Sequence, residues 1–172
     1  MTIDRRSLLK YAATLPALNA LAPLAQAAEP EKPDYTLRMA TGLVELSPEH
    51  IVSTTLYNGQ FPGPLIRLKE GKRVTVDVYN DTDTPELVHW HGQMIPSGVD
   101  GASEEGTPFI AAHGMRRISF VPKPAGLRFY HTHVVAASDL NRGTYTGQAG
   151  AVYIEPAANP GAYDREVVLV LK

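Results

Sequence analysis

The sequence predicts an all-β fold, a Greek-key sandwich or barrel of about eight strands. Three observations predict it. Short apolar-patterned runs alternate with turn signals from residue 35 onward. Proline and glycine number fourteen each, which suits a turn-rich β protein. No amphipathic run past residue 34 reaches the length of a helix, and neither an internal repeat nor a low-complexity tract interrupts the pattern.

Tyr35–Leu46 reads as a first strand region and Ile51–Tyr57 as a second, stopped by the turn pair Asn58-Gly59. "FPGPLI" follows, and Pro62 and Pro64 block ladder pairing on one side, so this stretch predicts an edge strand or a crossing. Leu65–Leu68 leads into a turn over Lys69–Lys72. "RVTVDVYN" is the clearest strand, with Val74, Val76 and Val78 on one face and Thr75, Asp77 and Tyr79 on the other. Leu87–His91 is a short strand, and Gln93–Gly114 a long irregular stretch of the kind that usually carries function. Arg117–Val121 turns Ile118 and Phe120 inward, Arg128–His133 follows, and Val134–Thr146 is a loop or short helix. Gln148–Glu155 and Glu166–Leu171 are expected to close the strand set.

The first 27 residues stand apart from this pattern. "MTIDRRSLLKYAATLPALNALAPLAQA" has a basic start, an apolar middle and a small-residue end. Arg5-Arg6 followed by Ser7-Leu8-Leu9-Lys10 resembles a twin-arginine export signal, although Asp4 and Leu8 depart from its usual residues. Ala25-Gln26-Ala27 offers a cleavage site, so residues 1–27 are expected to be a signal peptide, 28–34 ("AEPEKPD") a linker and 35–172 the folded domain. Pro16 and Pro23 would interrupt a surface helix here, and the apolar run is too short and broken for a membrane span. The expected destination is the periplasm or the cell exterior. That compartment is oxidising, yet the chain has no cysteine, so disulfides do not hold the domain and no thiolate within it can bind a metal. A net charge of −2 gives no electrostatic reason to expect nucleic acid.

Four of the six histidines fall into two matched pairs, His89-Trp90-His91 and His131-Thr132-His133. Residues two apart on a strand share a face, about 6.6 Å apart along the chain. Were the two short strands neighbours, four imidazoles would converge. They would stay neutral, with depressed proton affinity, and be ready to take a metal. Imidazole suits copper, zinc, iron or nickel, and physical chemistry alone leaves zinc or copper open. The side-by-side pairs suit bridging of adjacent metals better than wrapping one ion. His50 and His113 are lone loop histidines expected at the surface, and Trp90 is expected to serve packing.

"LYNGQFPGPLIRLKEGKRVTVDVYND", "HWHG", "DG", "FVPKPAGLRFYHTH" and "GQAGAVYIEP", in this order from Leu56 to Pro156, resemble the first cupredoxin (plastocyanin-like) domain of the multicopper oxidases, the laccase-like enzymes. The resemblance implies a cupredoxin-like barrel and a three-copper site that reduces dioxygen to water while a substrate is oxidised elsewhere. It implies that His89 ligates the type 2 copper, that His91 and His131 ligate one type 3 copper, and that His133 ligates the other. It also implies that Asp100 is an acid behind the type 2 copper that assists proton delivery; on local grounds Asp100 reads equally well as a turn residue before Gly101. Glu104, Glu105 and His113 have no counterpart role in that pattern. In the family the remaining copper ligands, and the cysteine of the type 1 copper, come from a later domain. The expected partner is therefore a cysteine-containing cupredoxin domain or chain, with dioxygen as co-substrate. The alternative expectation is a single-domain periplasmic copper-binding or carrier module without turnover.

Overall fold

The computed structural model describes residues 31–158 and 161–171. The signal segment expected over residues 1–27 lies outside them. Residues 33–172 form one compact unit; of the other, residues 1–32, only the last two are described. Eight strands make two four-stranded sheets. They are β1 (Tyr35–Ser47), β2 (His50–Tyr57), β3 (Gly63–Lys69), β4 (Val74–Asn80), β5 (His89–His91), β6 (Met115–Phe120), β7 (Gly126–His131) and β8 (Ala149–Glu155). One sheet has the order β2-β1-β4-β6 and the other β3-β8-β7-β5. β1 runs parallel to β4 and β3 parallel to β8, while the remaining pairs are antiparallel. β3, the proline-bearing stretch, is an edge strand paired only with β8.

Alternation on each strand fills the space between the sheets. Val74, Val76 and Val78 point inward from β4, as their spacing predicts, and meet Ile118 and Phe120 from β6. Trp90 and Tyr130 come in from the other sheet, and Tyr57 joins them from the end of β2. The Trp90 ring lies 5.0 Å from that of Phe120 and 5.9 Å from that of Tyr130. Such burial of large apolar side chains is the main favourable term holding the sheets together.

Asp77 faces away from this core, yet its side chain is only 6% exposed. The reason is its cross-strand neighbour: Asp77 sits directly opposite Arg117, whose guanidinium covers it. Arg117 Nε donates to Oδ1 at 2.6 Å and Nη2 to Oδ2 at 2.8 Å. This two-point contact holds the Asp77 carboxyl below its ordinary pKa.

Three expectations need correction in extent. Glu166–Leu171 forms no strand. Leu169, Val170 and Leu171 instead line a cavity over the outward face of β7 and β8, beside Leu127, Phe129 and Ala151. A segment over a sheet face meets side chains, because the backbone groups beneath are already paired within the sheet, so it cannot join a ladder. β5 begins at His89 rather than Leu87, because Glu86 bridges out to Ile110. β7 stops at His131 rather than His133. Gln93–Gly114 is irregular as expected, but it holds a short helix α1 (Ser97–Asp100) and a 3-10 turn at Ser103–Glu105. Among the described residues no helix is long and apolar enough to cross a membrane.

Replacing Asp77 by Asn is expected to lower unfolding free energy by about 1–2 kcal/mol near neutral pH, since Arg117 then loses its charged two-point partner. A carboxyl with a lowered folded-state pKa stabilises above its ordinary pKa, and that contribution is lost as pH falls through the lowered value. Urea unfolding at about pH 7 and about pH 2 checks this. The deficit should fade at the lower pH, and a deficit independent of pH would contradict the assignment.

Candidate metal centre

The site is built by the pairing of β5 with β7. His89 stands opposite His131, Trp90 opposite Tyr130, and His91 opposite Phe129. Since side chains alternate, sending Trp90 and Tyr130 into the core sends the histidines and Phe129 to the outer face. Phe129 then lies flat against both rings, its centroid 4.3 Å from that of His91 and 5.2 Å from that of His131. This limits imidazole rotation.

The structure brings His89, His91 and His131 together most tightly, each offering a ring nitrogen within 4.8 Å of the others. His133, beyond the end of β7, packs on His89 with ring centroids 4.9 Å apart but stands 6.1 Å from His131 and outside that nitrogen cluster. His50 and His113 lie apart at the surface, the first beside Ser47 and the second paired with Asp83.

Each ring has its Nδ1 against a polar neighbour. His89 Nδ1 lies 2.9 Å from the Asp100 carbonyl oxygen and 3.2 Å from its carboxylate Oδ2. His131 Nδ1 lies 2.7 Å from the Thr132 carbonyl oxygen. Both contacts put the proton on Nδ1 and leave the Nε2 lone pair outward. His91 is reversed: its Nδ1 faces His131 Nε2 at 3.3 Å. Metal–imidazole bonds are about 2.0–2.1 Å, so two nitrogens on one ion at an angle between square and tetrahedral sit about 2.9–3.4 Å apart. The His91–His131 separation fits that span.

Burial holds His131 down to about 4, and neighbouring His89 and His91 add to this against the opposing Thr132 carbonyl. His91 is lowered as well, first by desolvation and then by His89. These two imidazoles are neutral near pH 7, the form that binds metal.

Asp100 reaches His89 because α1 ends on β5. Gly101, with φ of +96°, lies so close that a Cβ would stand 1.9 Å from the Val88 carbonyl oxygen. Past it, Gly101 N donates to Thr107 Oγ1 at 2.9 Å, and Thr107 in turn bonds the Ser97 carbonyl. The loop thereby closes on itself.

Sequence reasoning missed the layer behind the histidines. Glu86 is buried and accepts from Thr132 Oγ1 at 3.0 Å and from Gln148 Nε2 at 3.3 Å. Thr132 lies between His131 and His133, so this network fixes the backbone that spaces them. Burial raises the Glu86 pKa despite those donors. Its one sequence signal is an acid set directly before an apolar stretch, "ELVHW". Glu104 was also without a role; its Oε1 stands 3.5 Å from His133 Nδ1.

Comparison with known proteins agrees with this geometry. The family model described as multicopper oxidase matches residues 39–159. The chain belongs to the multicopper oxidase family. It is 37% identical over 122 residues to multicopper oxidase MmcO of Mycobacterium tuberculosis, covering 70% of this chain and 23% of that protein. To a copper resistance protein A homolog of Pseudomonas syringae pv. tomato it is 35% identical over 115 residues, 66% of this chain and 18% of that protein. The blue copper oxidase from Nitrosomonas europaea superposes with a TM-score of 0.63 at 32% identity, over 72% of this chain and 38% of that one. The matched region is thus less than a third of these two curated relatives' length. The fold is the cupredoxin-like β-sandwich of that family, and the family's metal is copper.

Two outcomes are expected. Gly101→Ala has neither the space nor the conformation it needs, so it should cost more than about 3 kcal/mol or prevent folding. Thermal unfolding measures this, and a near-neutral effect would contradict the close packing of Gly101 on β5. Second, a histidine whose folded-state pKa is lowered contributes stability that is present above about pH 6.5 and lost as pH falls toward about 4. For His131, a partly exposed ring whose shift is weakened by solvent screening, that loss is on the order of 1–2 kcal/mol. Urea unfolding of metal-free wild type should show the loss, and His131→Gln should flatten it. Glu86, with its raised pKa, acts in the opposite sense in both proteins, so the difference between them isolates His131.

Proposed function

We propose that this chain is the first cupredoxin domain of a multicopper oxidase and supplies one half of the three-copper site that reduces dioxygen to water. The observation that carries the reading is the facing pair His91 Nδ1 and His131 Nε2, 3.3 Å apart, with His89 alongside. His89 would hold the type 2 copper, His91 and His131 one type 3 copper, and His133 the other. Bound copper supplies one-electron redox chemistry and a binding place for dioxygen.

The chain's own residues hold and aim. Phe129 stacks on His91 and His131 and restricts the rotation of both rings. The Asp100 carbonyl keeps the proton of His89 on Nδ1, and its carboxylate, at 3.2 Å, can take or return a proton beside the cluster. Thr132, anchored on buried Glu86, fixes the interval between His131 and His133. The remaining ligands, and the thiolate of a type 1 copper, would come from a cysteine-containing cupredoxin domain or chain, since these 172 residues hold no cysteine. The folded domain in this reading is residues 35–172. Residues 1–27 export it by the twin-arginine route, which places it in the periplasm or outside the cell.

Native mass spectrometry of the protein purified from its own host, grown with copper, tests the reading. The expected result is a chain beginning near Ala28, joined to a cysteine-bearing domain or partner, with several coppers. The same chain alone with one or two labile coppers would instead make it a copper-binding module without turnover. A metal-free chain would overturn the copper assignment. In any copper-bound form, His131→Ala should remove copper, because His91 Nδ1 then faces no second donor.

A further inference from the structure

We propose that Glu104 is a positioning residue for His133, holding its ring proton on Nδ1 so that Nε2 is the nitrogen offered to copper. The inference rests on the copper reading only for the last clause; the claim about the ring proton stands on the metal-free chain.

Of the four paired histidines, two have Nδ1 against a backbone carbonyl, and a third has Nδ1 turned to a neighbouring imidazole. His133 is the fourth, and the group at its Nδ1 is Glu104 Oε1, 3.5 Å away. That distance is a charge contact rather than a tight hydrogen bond. A carboxylate there is only an acceptor, so the nitrogen it faces is favoured as the one that carries the proton.

Although exposed, Glu104 is held in place. It lies in the 3-10 turn Ser103–Glu105, between buried Ala102 and buried Thr107. Thr107 N donates to the Ala102 carbonyl at 3.1 Å, and Gly106 N donates to the Ser103 carbonyl at 3.1 Å. The second carboxylate oxygen, Oε2, accepts from Ser103 Oγ at 3.3 Å, which turns Oε1 toward His133. The loop that places Asp100 on His89 therefore also places an acid on His133. His133 lies past the end of β7 and lacks the cross-strand partner that fixes His89 and His131. A side-chain contact can supply that missing constraint. Acids behind histidine ligands fix the tautomer and orient the ring, and removing one typically lowers metal affinity about 10–100-fold.

The test uses the full chain, first without metal. Long-range ¹H–¹⁵N spectra of the histidine rings at about pH 8 report which nitrogen carries each proton. Wild-type His133 should carry it on Nδ1. Glu104→Ala should move it toward Nε2, Glu104→Gln should keep it because an acceptor remains, and Glu105→Ala should leave it alone. Copper(II) affinity, measured by competition with a chelator, should fall about tenfold in Glu104→Ala and much less in Glu104→Gln. The proposal is overturned if His133 carries its proton on Nε2 in wild type, or if Glu104→Ala leaves the tautomer unchanged. Absence of copper binding by wild type would overturn the copper reading instead, with the ring spectra still deciding the role of Glu104.

Discussion

The pairing of β5 with β7 is the constraint on which the rest depends. Three residues face three residues, with His89 opposite His131 and Trp90 opposite Tyr130. A register slip of one would turn every side chain over, burying imidazoles and exposing the tryptophan. Burial of Trp90 and Tyr130 among Phe120, Val76 and Ile154 opposes that slip. The hydrophobic core is thus what aims the histidines: Trp90 between the first pair and Tyr130 before the second anchor inward, and His89, His91 and His131 have to project outward.

A second constraint keeps the aim narrow. The loop from α1 to Thr107 returns to β5 through Gly101, whose missing side chain is what lets Asp100 reach His89. Behind the other pair, Glu86, Thr132 and Gln148 form a buried polar network. Such networks are costly unless satisfied, and Glu86 has donors from both neighbours. The centre is therefore clasped from the loop side and from within, while its histidines keep an open outer edge beside the cavity of about 590 Å³ over β7 and β8.

Much of this was legible in the sequence, and the reason is periodicity. "RVTVDVYN" alternates cleanly and is β4; the two His-x-His pairs alternate too, so their shared face could be read before their partner strands were known. What depended on contacts distant in sequence was not legible. Asp77 faces outward by its period, yet Arg117, forty residues on, covers it. Glu86 reads as an ordinary surface acid until Thr132 and Gln148 are seen around it. Glu166–Leu171 holds a short, continuous apolar run rich in valine that suits a strand, but it runs over a sheet face where no backbone partner is free. The ring proton positions of the four histidines lay equally beyond sequence, because they follow from carbonyls and acids that only the fold brings close.

The central claim is that His91 Nδ1 and His131 Nε2 are two donors to one copper ion. Crystals of the full chain grown with copper, with diffraction recorded on both sides of the copper absorption edge, test it most directly. The account predicts an anomalous peak between those two nitrogens, at about 2.0–2.1 Å from each. A copper bound elsewhere, or the pair bridged at an unchanged 3.3 Å with no anomalous density between them, would contradict it.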